Sequence, residues 1–99
     1  MIIREQDTHI IMIEQDDHAH ISEEIIRKWG TLFFENDPHE DAVLYAVRNH
    51  DYGWKAFDLQ PFWNDQTGLP FDFTTFPHRP KTVLYTKGVD DVQEVNPYA

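Results

Sequence analysis

The stretch Asp16-Asp17-His18-Ala19-His20-Ile21-Ser22-Glu23-Glu24-Ile25-Ile26-Arg27-Lys28-Trp29-Gly30 carries the most regular pattern in the chain. His18, Ile21, Ile25 and Trp29 recur at spacings of three, four and four, the repeat of one helical face. Ile26 widens that face, while His20, Glu24, Arg27 and Lys28 fall mainly elsewhere, toward solvent. Asp16 or Asp17 suits the N-cap, where a carboxylate accepts from unpaired N–H groups and meets the positive end of the helix dipole. Gly30 suits the stop. The pattern predicts a helix over about 17–29 that buries the stripe from His18 to Trp29.

Working outward, residues 2–14 are rich in Ile around Asp7-Thr8, which predicts a β-hairpin with strands near 2–5 and 9–14. On the other side, Asp37-Pro38-His39-Glu40 reads as a helix start, with Asp37 as N-cap, Pro38 at the first helical position and Glu40 reaching back. Val43, Ala46, Val47, His50 and Trp54 form the apolar stripe of that second helix, and Asp51 borders it. Gly53 costs helix stability, so the end is expected to fray there. Residues 58–76 hold Pro61, Gly68 and Pro70 among Phe62, Trp63, Phe71, Phe73 and Phe76. They read as a packed Ω-like segment or lid, or as aromatics plugging the rim of the core. A third helix is expected from about Pro80 to Asn96, weakened at Gly88 and ended by Pro97. The fold class expected is mainly α: an N-terminal β-hairpin, then three helices with a long aromatic-rich loop, in one domain over 1–99.

The 99 residues suffice for one modest core. A hydrophobic share of 40% argues against disorder. No apolar run approaches the roughly 18 residues of a membrane span, and the N-terminus lacks the layout of a signal peptide. There is no cysteine, so disulfides and thiolate-held zinc are excluded. A cytoplasmic location is the default expectation. The net charge is −10, and residues 1–51 hold 12 of the 18 acids. Such a field repels a phosphate backbone and disfavours nucleic acid, while it attracts divalent cations. A phosphorylated substrate needs a bound metal to reverse the local sign.

His18 and His50 each take a slot on an apolar stripe where Leu or Ile would stabilise more, and Asp51 flanks His50. A carboxylate near a core is costly unless it is paired or metal-bound. Two imidazoles and a carboxylate from adjacent helices can converge on one divalent ion, and nitrogen and oxygen donors suit Zn, Mn, Fe, Co or Ni. The plainer reading is that each His is a hydrogen-bonded boundary residue and that Asp16 and Asp17 are helix caps. Ser22 lacks a Gly-framed elbow, and no phosphate-cradling or dinucleotide-binding Gly pattern is present. His9, His39 and His78 lie in or near turns and take no role.

Four segments occur in order: Gln15-Asp16-Asp17-His18-Ala19-His20-Ile21-Ser22, His50-Asp51-Tyr52-Gly53-Trp54, Thr67-Gly68-Leu69-Pro70-Phe71-Asp72-Phe73 and Asn96-Pro97-Tyr98-Ala99. Together they resemble a bacterial family called domain of unknown function 3891. That family is distantly similar to the HD-domain metal-dependent phosphohydrolases, all-helical proteins in which a His on one helix and a His-Asp pair on a later one hold metal. The resemblance implies an HD-like helical core, with His18 as the first ligand and His50-Asp51 as the pair. The family pattern has His where this chain has Asp16. It also runs on past Ala99 into a helix with Ser-x-His, so the last ligand is expected to be missing from this chain.

Two functions follow as expectations. In the first, the chain is a metal-dependent phosphohydrolase: His18, His50 and Asp51 are ligands, Asp17 (or Asp16) orients the attacking water, and the aromatic segment walls a pocket for a small phosphorylated substrate. In the second, the same scaffold is a non-enzymatic binding or assembly module, with a homo-oligomer covering any exposed apolar face.

Overall fold

Ile-rich residues at the N-terminus pair as expected. β1 (Ile2–Glu5) runs antiparallel to β2 (Ile10–Ile13), with Ile2 opposite Ile13 and Glu5 opposite Ile10. The Gln6 N–H donates to the His9 carbonyl at 2.9 Å, which closes the turn over Asp7-Thr8. The computed structural model describes residues 1–30, 34 and 36–99. α1 (Gln15–Gly30) follows β2 almost at once. Its start is capped by a distant group: the Gln15 N–H donates to Asp58 Oδ2 at 2.7 Å. Asp16 and Asp17 therefore lie inside the first turn, where their charge still favours the helix dipole, and neither is the N-cap expected of them.

α1 turns the other way from the expectation. Ile21, Ile25 and Trp29 are 56%, 49% and 67% exposed, and His18 is exposed beside them. The buried side is Gln15, Ala19 and Glu23. Ala19, with no exposed surface, lets α2 (Glu40–Asn49) approach closely, and Ala42 and Leu44 are buried on that helix. Glu23 is buried because two arginines hold it. Its Oε1 accepts from Arg27 Nε at 3.0 Å and Nη2 at 2.7 Å, and its Oε2 accepts from Arg48 Nη1 at 2.9 Å. Arg48, first among the causes, and Arg27 keep the Glu23 carboxyl below its ordinary pKa. A paired carboxylate inside and isoleucines outside reverse what hydrophobic period alone predicts.

Asp37 Oδ1 accepts from the His39 N–H at 2.8 Å, an Asx turn that leads into α2 two residues later than the sequence suggests. The helix also stops early. A 3₁₀ turn (Tyr52–Trp54) and a short α3 (Lys55–Asp58) replace the extension to Trp54. Two short strands, β3 (Trp63–Asn64) and β4 (Leu69–Pro70), organise the aromatic segment. α4 (His78–Val95) runs unbroken through Gly88. Pro80 sits in its first turn, where a missing N–H costs nothing.

The core is small. Trp54 is 1% exposed and lies edge-on to Phe76 (5.2 Å between centroids) and Tyr85 (5.9 Å). Leu84 completes it, with Phe57 and Phe71 at its margin. Asp72 Oδ1 accepts from the backbone N–H groups of Thr74 and Thr75, each at 2.7 Å, in the turn that delivers Phe76. Burial works to raise the Asp72 pKa, but these bonds and the Thr hydroxyls outweigh it and hold the carboxyl low. The aromatic segment thus divides: Phe71 and Phe76 pack, while Phe62, Trp63 and Phe73 stay exposed. No helix among the described residues is long and apolar enough to cross a membrane.

Candidate metal centre

The Glu23–Arg48 bridge fixes α2 along α1, and that register places the C-terminal end of α2 beside the first turns of α1. His18 and His50 meet there, with ring centroids 5.6 Å apart at 77°. Asp51 follows His50. One ligand atom from each of the three lies within 4.8 Å of the others. The two rings are exposed and Asp51 is 5% exposed, so the site is a shallow cup with a buried carboxylate at its base.

Each ligand is oriented. His50 Nδ1 lies 2.6 Å from the Val47 carbonyl, which can only accept, so Nδ1 carries the proton. The lone pair of Nε2 then points away from α2, the usual arrangement of a metal-binding imidazole. Asp51 Oδ2 accepts from Gln15 Nε2 at 3.1 Å, and Oδ1 accepts from the Tyr85 hydroxyl at 3.3 Å. Burial, and then the Asp51 carboxylate, push the Tyr85 phenol above its ordinary pKa, so it remains a donor at neutral pH.

His50 Nε2 and Asp51 Oδ2 face each other at 3.3 Å. Both are acceptor atoms that one divalent ion can share. The spacing suits the metal: a tetrahedral ion with bonds of about 2.0–2.1 Å holds its ligand atoms roughly 3.3–3.4 Å apart. Gln15 Oε1 is buried next to this pair without a hydrogen-bond donor. A buried acceptor of that kind calls for a donor such as bound solvent.

The remaining site residues fall outside the trio. Asp17 is exposed, one residue before His18. Asp16 is committed to Lys55, whose Nζ donates to Oδ2 at 3.2 Å, with His20 Nε2 3.6 Å from the same oxygen. Ser22 Oγ donates to the His18 carbonyl, as an ordinary helical Ser does. An open apolar groove of about 780 Å³ lies between α3 and α4, lined by Tyr52, Ala56, Leu59 and Val83 rather than by the aromatics Phe62 to Phe76. Gln15 and Tyr85 carry no sequence signal for their role. A Gln before an acidic pair is unremarked, and Tyr85 arrives from a helix 34 residues away.

A family model described as protein of unknown function (DUF3891) matches residues 1–99. The chain belongs to this family. No curated protein and no solved structure gives a significant match. The DUF3891 match spans the His18, His50-Asp51 and Thr67–Phe73 segments.

Proposed function

We propose that this DUF3891 chain binds one divalent metal ion through His18, His50 and Asp51, and that it hydrolyses a small phosphoester in the manner of the HD phosphohydrolases. The observation that carries the reading is the oriented His50–Asp51 pair at 3.3 Å with His18 beside it. A His on one helix followed by His-Asp at the end of the next supports the HD likeness. Three protein ligands with an open side suit a catalytic site better than a closed structural one. When bound, the ion supplies a Lewis acid that acidifies water and neutralises an incoming phosphate. Zn, Mn, Fe, Co and Ni all accept this donor set.

The chain's own residues do the positioning. Val47 fixes the His50 tautomer, and Gln15 and Tyr85 fix both oxygens of Asp51. To Asp17, exposed and next to His18 in the chain, this reading assigns the holding of a water proton. Metal content after purification without chelator, compared with His50→Ala, tests the site. Equal content in both removes it.

The exposed Ile21–Ile25–Trp29 face favours a second reading, a non-enzymatic binding or assembly module. A screen of phosphomonoesters and phosphodiesters with Mn, Ni and Mg separates the two. Turnover that His50→Ala abolishes supports the hydrolase, and metal binding without turnover supports the module.

A further inference from the structure

Gln15 is held at both ends. It is 3% exposed and opens α1. Its backbone N–H donates to Asp58 Oδ2 at 2.7 Å, and Asp58 Oδ1 holds the Met1 ammonium at 2.6 Å. Its side-chain Nε2 donates to Asp51 Oδ2 at 3.1 Å. The carboxamide cannot be turned over, because a carboxylate only accepts and so requires the amide N–H end. Oε1 is thereby fixed as well, and it is buried without a donor among the described residues. Across the contact with Asp51 the polar atoms are acceptors too: Asp51 Oδ2 itself and, 3.3 Å beyond it, the lone pair of His50 Nε2. A support for Asp51 needs only the N–H end of this side chain. The oxygen is left over, and a buried oxygen that meets no hydrogen donor is satisfied by a cation.

We infer that Gln15 Oε1 is a further protein donor to the ion held by His18, His50 and Asp51. One carboxamide then steadies the carboxylate through Nε2 and binds metal through Oε1. This role rests on the metal-binding reading above and narrows it. A neutral carbonyl oxygen beside a carboxylate shifts the donor set toward Mn. Four protein donors fill a tetrahedral zinc shell, but they leave two positions of an octahedral ion open for water and substrate. The expected resident is therefore an octahedral ion rather than zinc.

The test is cobalt(II) titration of the full chain, read both as affinity and as the visible ligand-field band, which responds to the donor set itself. Gln15→Met removes both amide atoms and is expected to lose roughly 100-fold in affinity and to shift the band. Gln15→Glu keeps an oxygen where Oε1 stands and is expected to bind at least as tightly as the wild type. Tyr85→Phe removes the other partner of Asp51 without touching the ion, and is expected to weaken binding while the band stays in place. Circular dichroism checks that each variant folds. A Gln15→Met band identical to that of the wild type overturns the inference and leaves Gln15 as a support of Asp51 alone. So does a Gln15→Glu chain that binds as weakly as Gln15→Met. Cobalt binding that is absent, or that His50→Ala leaves unchanged, overturns the centre itself and this role with it.

Discussion

Gly53 and Gly88 meet backbone to backbone. A Cβ on Gly88 would stand 2.8 Å from the Gly53 nitrogen, and a Cβ on Gly53 would collide with the Leu84 carbonyl. The 3₁₀ turn after Asp51 is thereby pressed onto α4, which carries Tyr85 to the Asp51 carboxylate. Both glycines look like weak points of helices when read along the chain. Each is instead the condition for a close crossing.

Gly88→Ala is accordingly expected to destabilise the fold, although Ala is the better helix former by up to about 1 kcal/mol. Overpacking of this kind costs about 1–3 kcal/mol. The urea midpoint should fall, and a rise would mean that the helices separate without penalty.

Acid should loosen the α1–α2 pair and the 72–76 turn. Glu23 and Asp72 both have folded-state pKa values below their ordinary ones. The stability they supply is full above about pH 5 and fades as pH falls through the lowered values. Glu23→Gln should flatten the acid limb of a stability–pH curve. It should also cost on the order of 1–3 kcal/mol at neutral pH, since it removes charged hydrogen bonds to Arg27 and Arg48.

Asp58 is a buried junction. Its Oδ1 accepts from the Met1 ammonium at 2.6 Å and its Oδ2 from the Gln15 N–H at 2.7 Å. Asp58→Ala leaves two buried donors unpaired, one of them charged, and should cost about 3–5 kcal/mol in urea denaturation. Because Gln15 also holds Asp51, metal affinity should fall with it.

Metal should stabilise the native chain. At a hundredfold excess over Kd, an ion bound only to the folded state adds about 2.7 kcal/mol, which for a domain of this size raises Tm on the order of 10 °C. Chelator should reverse the shift, and His18→Ala and His50→Ala should abolish it. Unchanged melting with all five metals named above would remove the centre.

Much of this architecture was legible in advance. The hairpin and the end of α1 near Gly30 follow from local pattern, because turns and stop signals are short-range properties; His18 and His50, expected on buried stripes, are both exposed. The face that α1 buries did not follow. Ala19, Glu23 and Ile26 form a poorer stripe than Ile21, Ile25 and Trp29 until Arg48, 25 residues away, neutralises Glu23. The end of α2 was also misjudged, since the Gly53–Gly88 crossing depends on α4. The hold of Gln15 and Tyr85 on Asp51 is likewise long-range, and nothing local announces it.

The three tryptophans lie in unlike surroundings: Trp54 is 1% exposed, whereas Trp29 and Trp63 are 67% and 60% exposed. Their fluorescence should therefore separate. Acrylamide would quench the two outer emitters and leave a blue-shifted signal from Trp54, three residues from Asp51. That residual emission is a built-in optical reporter of the turn behind the carboxylate, available without any label.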